Sequence, residues 1–222
     1  MTITLILLAL IMVTFVGWLF SQSINVKPWV AETGKTQLPS PVPHFFTAPR
    51  VGLMVFLAVV TSVFALSISA YMMRMEMSGD WRSVPEPGLL WLNTASLVLA
   101  SVVLQIAWRA ATHGNRQRLQ RFLIMGGVLT IVFVLGQFVV WQQLSAGGYY
   151  MATNPANAFF YMLTALHALH LLGGLAAWGR TVARLRGGAG LARVRASVEL
   201  CTLYWHFLLV VWIAVFGLIL AT

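Results

Sequence analysis

The chain has 222 residues, of which 59% are apolar and only 9% charged, with a mean hydropathy of +0.84. A soluble domain carries about 25% charged residues, so the composition excludes a water-soluble globule and indicates an integral membrane protein. The formal net charge of +9 does not mark a nucleic-acid partner, because the arginines fall in loops too short for a folded basic domain.

Crossing the hydrocarbon core takes ~20 apolar residues. Runs without Lys, Arg, Asp or Glu cover residues 1–26, 51–73, 87–108, 122–179 and 200–222. The run 122–179 is too long for one crossing. It is interrupted by SAGGYYMATNPAN (145–157), where Gly147-Gly148 and Asn154-Pro155 break any helix. The chain is therefore read as an all-α integral membrane protein, a bundle of six transmembrane helices near 3–22, 50–74, 88–108, 121–144, 156–180 and 198–221. Its expected organisation is an N-terminal transmembrane helix in 1–24, a cytoplasmic loop in 25–49 and a five-helix membrane domain in 50–222. The first segment lacks the basic n-region and the small-residue cleavage site of a signal peptide, so it is read as a retained helix.

Basic residues orient the bundle. All but Arg74 and Arg82 of the 14 lie in the loops after the first, third and fifth helices. Arg74 and Arg82 face Glu76, Asp80 and Glu86 on the other side. The basic side is expected to be cytoplasmic and both termini external.

Ionisable groups inside spans are costly and need partners. Those of the spans are His167, His170, Glu199 and His206. His167 and His170 lie three apart on one side of the fifth helix, and Glu199 and His206 lie seven apart on one side of the sixth. These two helices are joined by a short loop and should be antiparallel neighbours. Two readings follow. The histidines could bind haem or copper, or the four groups could form an interhelical hydrogen-bond cluster that fixes the packing. The second is preferred, because a metal site needs ligands converging at one depth and Glu199 sits near a helix end. Gly173-Gly174 and Gly126-Gly127 are read as close helix contacts, and Trp29, Trp91, Trp108, Trp141 and Trp178 as interfacial anchors. Gln105 and Gln137 are read as interhelical hydrogen-bonding groups. Cys201, the one cysteine, is read as a small buried apolar residue.

The stretches FFYMLTALHALHLLGGL (159–175) and VELCTLYWHFLLVVWIAVF (198–216) resemble subunit III of the haem–copper oxidases. That family shows FF-x-x-T-G-x-H-G-x-H-x-x-x-G in one helix and E-x-x-x-x-Y-W-H-F-x-D-x-V-W in the next. Here Thr164, His167, His170, Gly174, Glu199, Tyr204, Trp205, His206, Phe207, Val211 and Trp212 match in order and spacing, and Phe159-Phe160 stand one residue further from Thr164 than in the pattern. LWLNTASLVLAS (90–101), GQFVVW (136–141) and GLMVFLAVVTSVFALSISAYMM (52–73) extend the likeness over residues 50–221. Three family carboxylates are replaced, by Val59 or Val60, by Val140 and by Leu209, which indicates a divergent member. The helix 3–22 has no clear counterpart in five-helix members and could correspond to the second helix of seven-helix ones or be an independent addition.

The resemblance implies an accessory subunit of a terminal oxidase that reduces oxygen to water. It would lack redox centres of its own, the haem and copper lying in partner subunits. Its partners would be subunit I as the main contact, subunit II and a small subunit IV. Its place would be the bacterial cytoplasmic membrane, where it would stabilise the catalytic subunit, a lipid-filled cleft and proton uptake. The four polar groups would then be structural, with no catalytic or metal residue in this chain. Bound phospholipid is expected on the exposed apolar sides of the second and third helices, held by Arg109, Arg116 or Arg121. Alternatives are a subunit III-like accessory of a nitric oxide reductase, which the lost carboxylates suit, a haem- or quinol-binding protein using His167, His170 and His206, and a small transporter. Broken helices with facing polar groups are not evident for the last.

Overall fold

The computed structural model describes residues 47–77, 79–85 and 87–221. These form five helices: α1 (Ala48–Met77), α2 (Leu89–Thr112), α3 (Arg116–Ala146), α4 (Pro155–Arg186) and α5 (Leu191–Leu220). Each is long and apolar enough to cross a membrane, and the chain is a multi-pass membrane protein. They correspond to the second through sixth expected helices. The first expected helix, 3–22, and the loop after it lie outside the described residues.

The breaks fall where the sequence placed them. Gly147 caps α3, and Gly148 follows at φ +83°, a left-handed conformation that glycine adopts without a Cβ clash. Asn154 accepts from Ala156 N at 3.1 Å, satisfying a free amide of the first turn of α4. Pro155 stands in that turn, where its missing N–H costs nothing.

The helices run further than expected at the basic end. α3 begins at Arg116, α4 ends at Arg186 and α5 begins at Leu191, each beyond the apolar limit read from charge. A 30-residue helix such as α5 is about 45 Å long, whereas the hydrocarbon core is about 30 Å. Charge thus marks where a helix leaves lipid, and the backbone hydrogen bonds carry it on into water.

α5 is packed against α1, α2 and α4, and α3 lies between α2 and α4. Among the described residues α1 leans chiefly on α4 and α5, and only its Val60, Phe64 and Tyr71 are buried. Lipid is as apolar as leucine, so association rests on close fit and interhelical hydrogen bonds. The adjacent glycines of α3 face two different helices. A Cβ on Gly126 would lie 2.6 Å from Leu104 Cγ of α2, and one on Gly127 would collide with the Trp178 indole of α4.

One polar device recurs across the bundle. Trp141 Nε1 donates to Thr164 Oγ1 at 3.0 Å, Trp205 Nε1 to Thr130 Oγ1 at 2.8 Å and Trp212 Nε1 to Thr94 Oγ1 at 2.9 Å. Each threonine hydroxyl donates its own proton to the carbonyl four residues back, on Phe160, Gly126 and Leu90. The pairs link α3 to α4, α5 to α3 and α5 to α2. Trp178 adds a bond from α4 to Leu123 O of α3 at 2.8 Å. Trp141 and Trp178, expected as interfacial anchors, thus have their N–H groups turned onto neighbouring helices.

Candidate functional site

The four ionisable groups of the spans do not bond to one another. His167 is fully buried; its Nε2 meets Leu208 O of α5 at 3.0 Å. Its ring lies 5.6 Å from that of Phe133 and 5.1 Å from that of Trp212. His170 returns to its own helix, its Nδ1 donating to Leu166 O at 2.7 Å, and lies against Phe56 and Phe64 of α1. Glu199 pairs with Arg50 of α1. His206 bonds Ser101 through Nδ1, and its Nε2 meets Gln105 Oε1 at 3.0 Å.

The mismatch of depths expected for some pairs extends to all four groups, which make separate contacts, for two geometric reasons. Three residues turn a helix by about 300°, enough to aim His167 at the bundle centre and His170 at α1. Seven residues separate Glu199 from His206 by about 10 Å along the axis, so the carboxylate meets the guanidinium at the helix end instead. The histidines also do not converge as ligands, since their neighbours lie on different helices. Among the described residues, no group of three or more His, Cys, Asp and Glu is placed to hold a metal.

A cleft of about 710 Å³ opens between α1, α4 and α5, within the range of roughly 300–1,000 Å³ typical of ligand sites. Leu53 and Phe56 of α1, Leu169 and Ala177 of α4 and Leu200 of α5 give it apolar walls. Arg180 and Arg184, exposed in the last turns of α4, line its end. The two glycines of HALHLLGG divide here. Gly174 carries the helix crossing, since a Cβ on it would lie 2.8 Å from Tyr204 Cε1 and 3.2 Å from Trp205 Cη2. Gly173 faces the cleft, and a Cβ on it would meet nothing within 4 Å.

Of the arginines expected to hold headgroups, Arg116 donates to Leu185 O at the end of α4. Arg109 and Arg121 are exposed, and none of the three lines the cleft. The arginines that line it are Arg180 and Arg184. Their spacing of four on a helix puts both on one face, a signal present in the sequence but read there only as topology. Cys201 is buried. Val60 and Val140, at positions where the resemblance implies carboxylates, are 2% and 0% exposed, so apolar side chains fill those positions inside the bundle.

A family model described as cytochrome c oxidase subunit III matches residues 4–220. The match extends the likeness beyond the segment carrying the motifs and takes in the first expected helix. "Cytochrome c oxidase subunit 3" of Synechocystis sp. is 30% identical over 173 residues, covering 76% of this chain and 73% of that protein. "Probable cytochrome c oxidase subunit 3" of Mycobacterium bovis is 29% identical over 195 residues, covering 84% and 95%. The protein of the same name in Mycobacterium leprae is 31% identical over 172 residues, covering 76% and 85%.

Proposed function

The chain belongs to the cytochrome c oxidase subunit III family, and from this we infer that it is an accessory, non-redox subunit of a respiratory haem–copper oxidase that holds phospholipid beside the catalytic subunit. The haem and copper belong to the partner subunits in this reading, and subunit I is its main contact. The basic helix ends lie on the cytoplasmic side and the C-terminus outside, in accord with the distribution of arginine.

The cleft carries the lipid part of the reading. Apolar walls suit acyl chains, and Arg180 and Arg184 stand where an anionic headgroup would lie. Each such basic group contributes about 1 kcal/mol near an anionic lipid surface. His170 and Tyr204 belong to the lining as well, which gives part of the histidine motif a role in shaping the cleft.

Mass spectrometry of the gently purified complex tests this. Gly173→Leu should fill the cleft, and the double change Arg180→Ala, Arg184→Ala should remove its headgroup contacts. Both should lower bound phospholipid while leaving haem content unchanged. Full retention of lipid in both variants would refute the assignment. The buried valines at 60 and 140 favour one second reading, an accessory of a related nitric oxide reductase that does not pump protons. The identity of the copurifying catalytic subunit separates the two.

A further inference from the structure

We propose that Asn93, Gln137 and His167, of α2, α3 and α4, enclose a buried water-binding site in the interior of the bundle. The three side chains are 3%, 1% and 0% exposed. Asn93 Nδ2, both polar atoms of the Gln137 amide and His167 Nδ1 are buried without a hydrogen-bond partner.

The helix register places these groups at neighbouring levels of the bundle. Phe133 touches the His167 ring, and Trp141 Nε1 bonds Thr164 Oγ1. Gln137 is four residues from both Phe133 and Trp141, on the same face of α3. It therefore lies between the levels of Thr164 and His167 on α4. Asn93 reaches α3 beside the preceding residue, since a Cβ on Gly136 would collide with the Asn93 amide oxygen.

The donor and acceptor pattern selects the occupant. Leu208 O can only accept, so the His167 proton sits on Nε2. Nδ1 is then a lone-pair acceptor. Gln137 Oε1 is a second acceptor, and Gln137 Nε2 and Asn93 Nδ2 are donors. A cation would meet the two amide N–H₂ groups, and an anion would meet the two acceptors. An apolar molecule would leave all four atoms unsatisfied, at about 1–3 kcal/mol each. Water both donates and accepts, and a buried water commonly makes 2–4 hydrogen bonds to such groups. The site also accounts for three polar residues within apolar helices, the Asn of LNT, the Gln of GQ and the first His of HALH. It stands independently of the lipid reading.

The test is water-edited ¹⁵N solid-state NMR on the intact complex in bilayers, with His167 assigned through its chain neighbours. The proposal expects magnetisation transfer from water to His167 Nδ1 and an Nδ1 resonance displaced from that of an unbonded imine nitrogen. In Gln137→Leu the transfer should weaken while that of solvent-exposed His113 stays unchanged. An unbonded Nδ1 resonance without water transfer in the wild type would overturn the proposal. So would a direct Gln137 amide correlation to Nδ1 without water transfer.

Discussion

Gly173 and Gly174 are adjacent and chemically identical, yet alanine at the two positions should act in opposite directions. A glycine inside a helix costs roughly 0.5–1 kcal/mol relative to alanine. At Gly173 a Cβ meets nothing within 4 Å, so Gly173→Ala should stabilise by about that amount. At Gly174 the same gain is opposed by the Tyr204 and Trp205 rings, 2.8 and 3.2 Å from the new carbon. Neither ring is free to swing away. Tyr204 Oη donates to His170 O at 3.0 Å, and Trp205 Nε1 donates to Thr130 Oγ1 at 2.8 Å. Overpacking costs about 1–3 kcal/mol, and loosening one hydrogen bond adds about 0.5–1.5 kcal/mol. The net loss for Gly174→Ala is then about 0.5–4 kcal/mol, and the two variants should differ by about 1.5–4.5 kcal/mol. Unfolding by SDS in mixed micelles, followed by the near-ultraviolet circular dichroism of the tryptophans, measures the difference. Equal shifts in the same direction would refute the assignment of Gly174 to the crossing and Gly173 to the cleft.

Three further outcomes follow from named contacts. Thr130→Val keeps the side-chain shape but leaves the buried Trp205 N–H without its acceptor; it should cost about 1–3 kcal/mol in the same unfolding assay. Glu199→Gln removes the ion pair with Arg50, whose side chains are 27% and 34% exposed. It should cost at most about 1 kcal/mol, a loss that shrinks as salt is raised. His206→Leu leaves Ser101 and Gln105 without their shared partner. It should weaken copurification with the haem-bearing subunit more than it changes the haem spectrum, whereas loss of a haem band with assembly intact would contradict a structural role.

The helices were legible because lipid imposes a length and a near absence of charge, and Gly148 and Pro155 obey local backbone rules. The partners of the polar groups were not. Which neighbour His167 or His170 meets depends on helix rotation and depth, and a spacing of three residues constrains neither across the bundle. The tryptophan–threonine pairs escaped notice for a related reason. Thr94, Thr130 and Thr164 look neutral in hydropathy, and Trp141 and Trp178 near span ends suggested an interface with headgroups. The cleft depends on a gap between α1, α4 and α5, and no single segment encodes a gap. Only the Arg180 and Arg184 spacing pointed to it.

Gentle purification of the chain from its native membrane, with the visible spectrum recorded before and after separation of the copurifying proteins, tests the oxidase assignment most directly. An accessory subunit III should arrive with a large haem-bearing subunit, and all haem absorbance should leave with that partner. A haem band that stays with this chain alone, or purification without any haem-bearing partner, would contradict it.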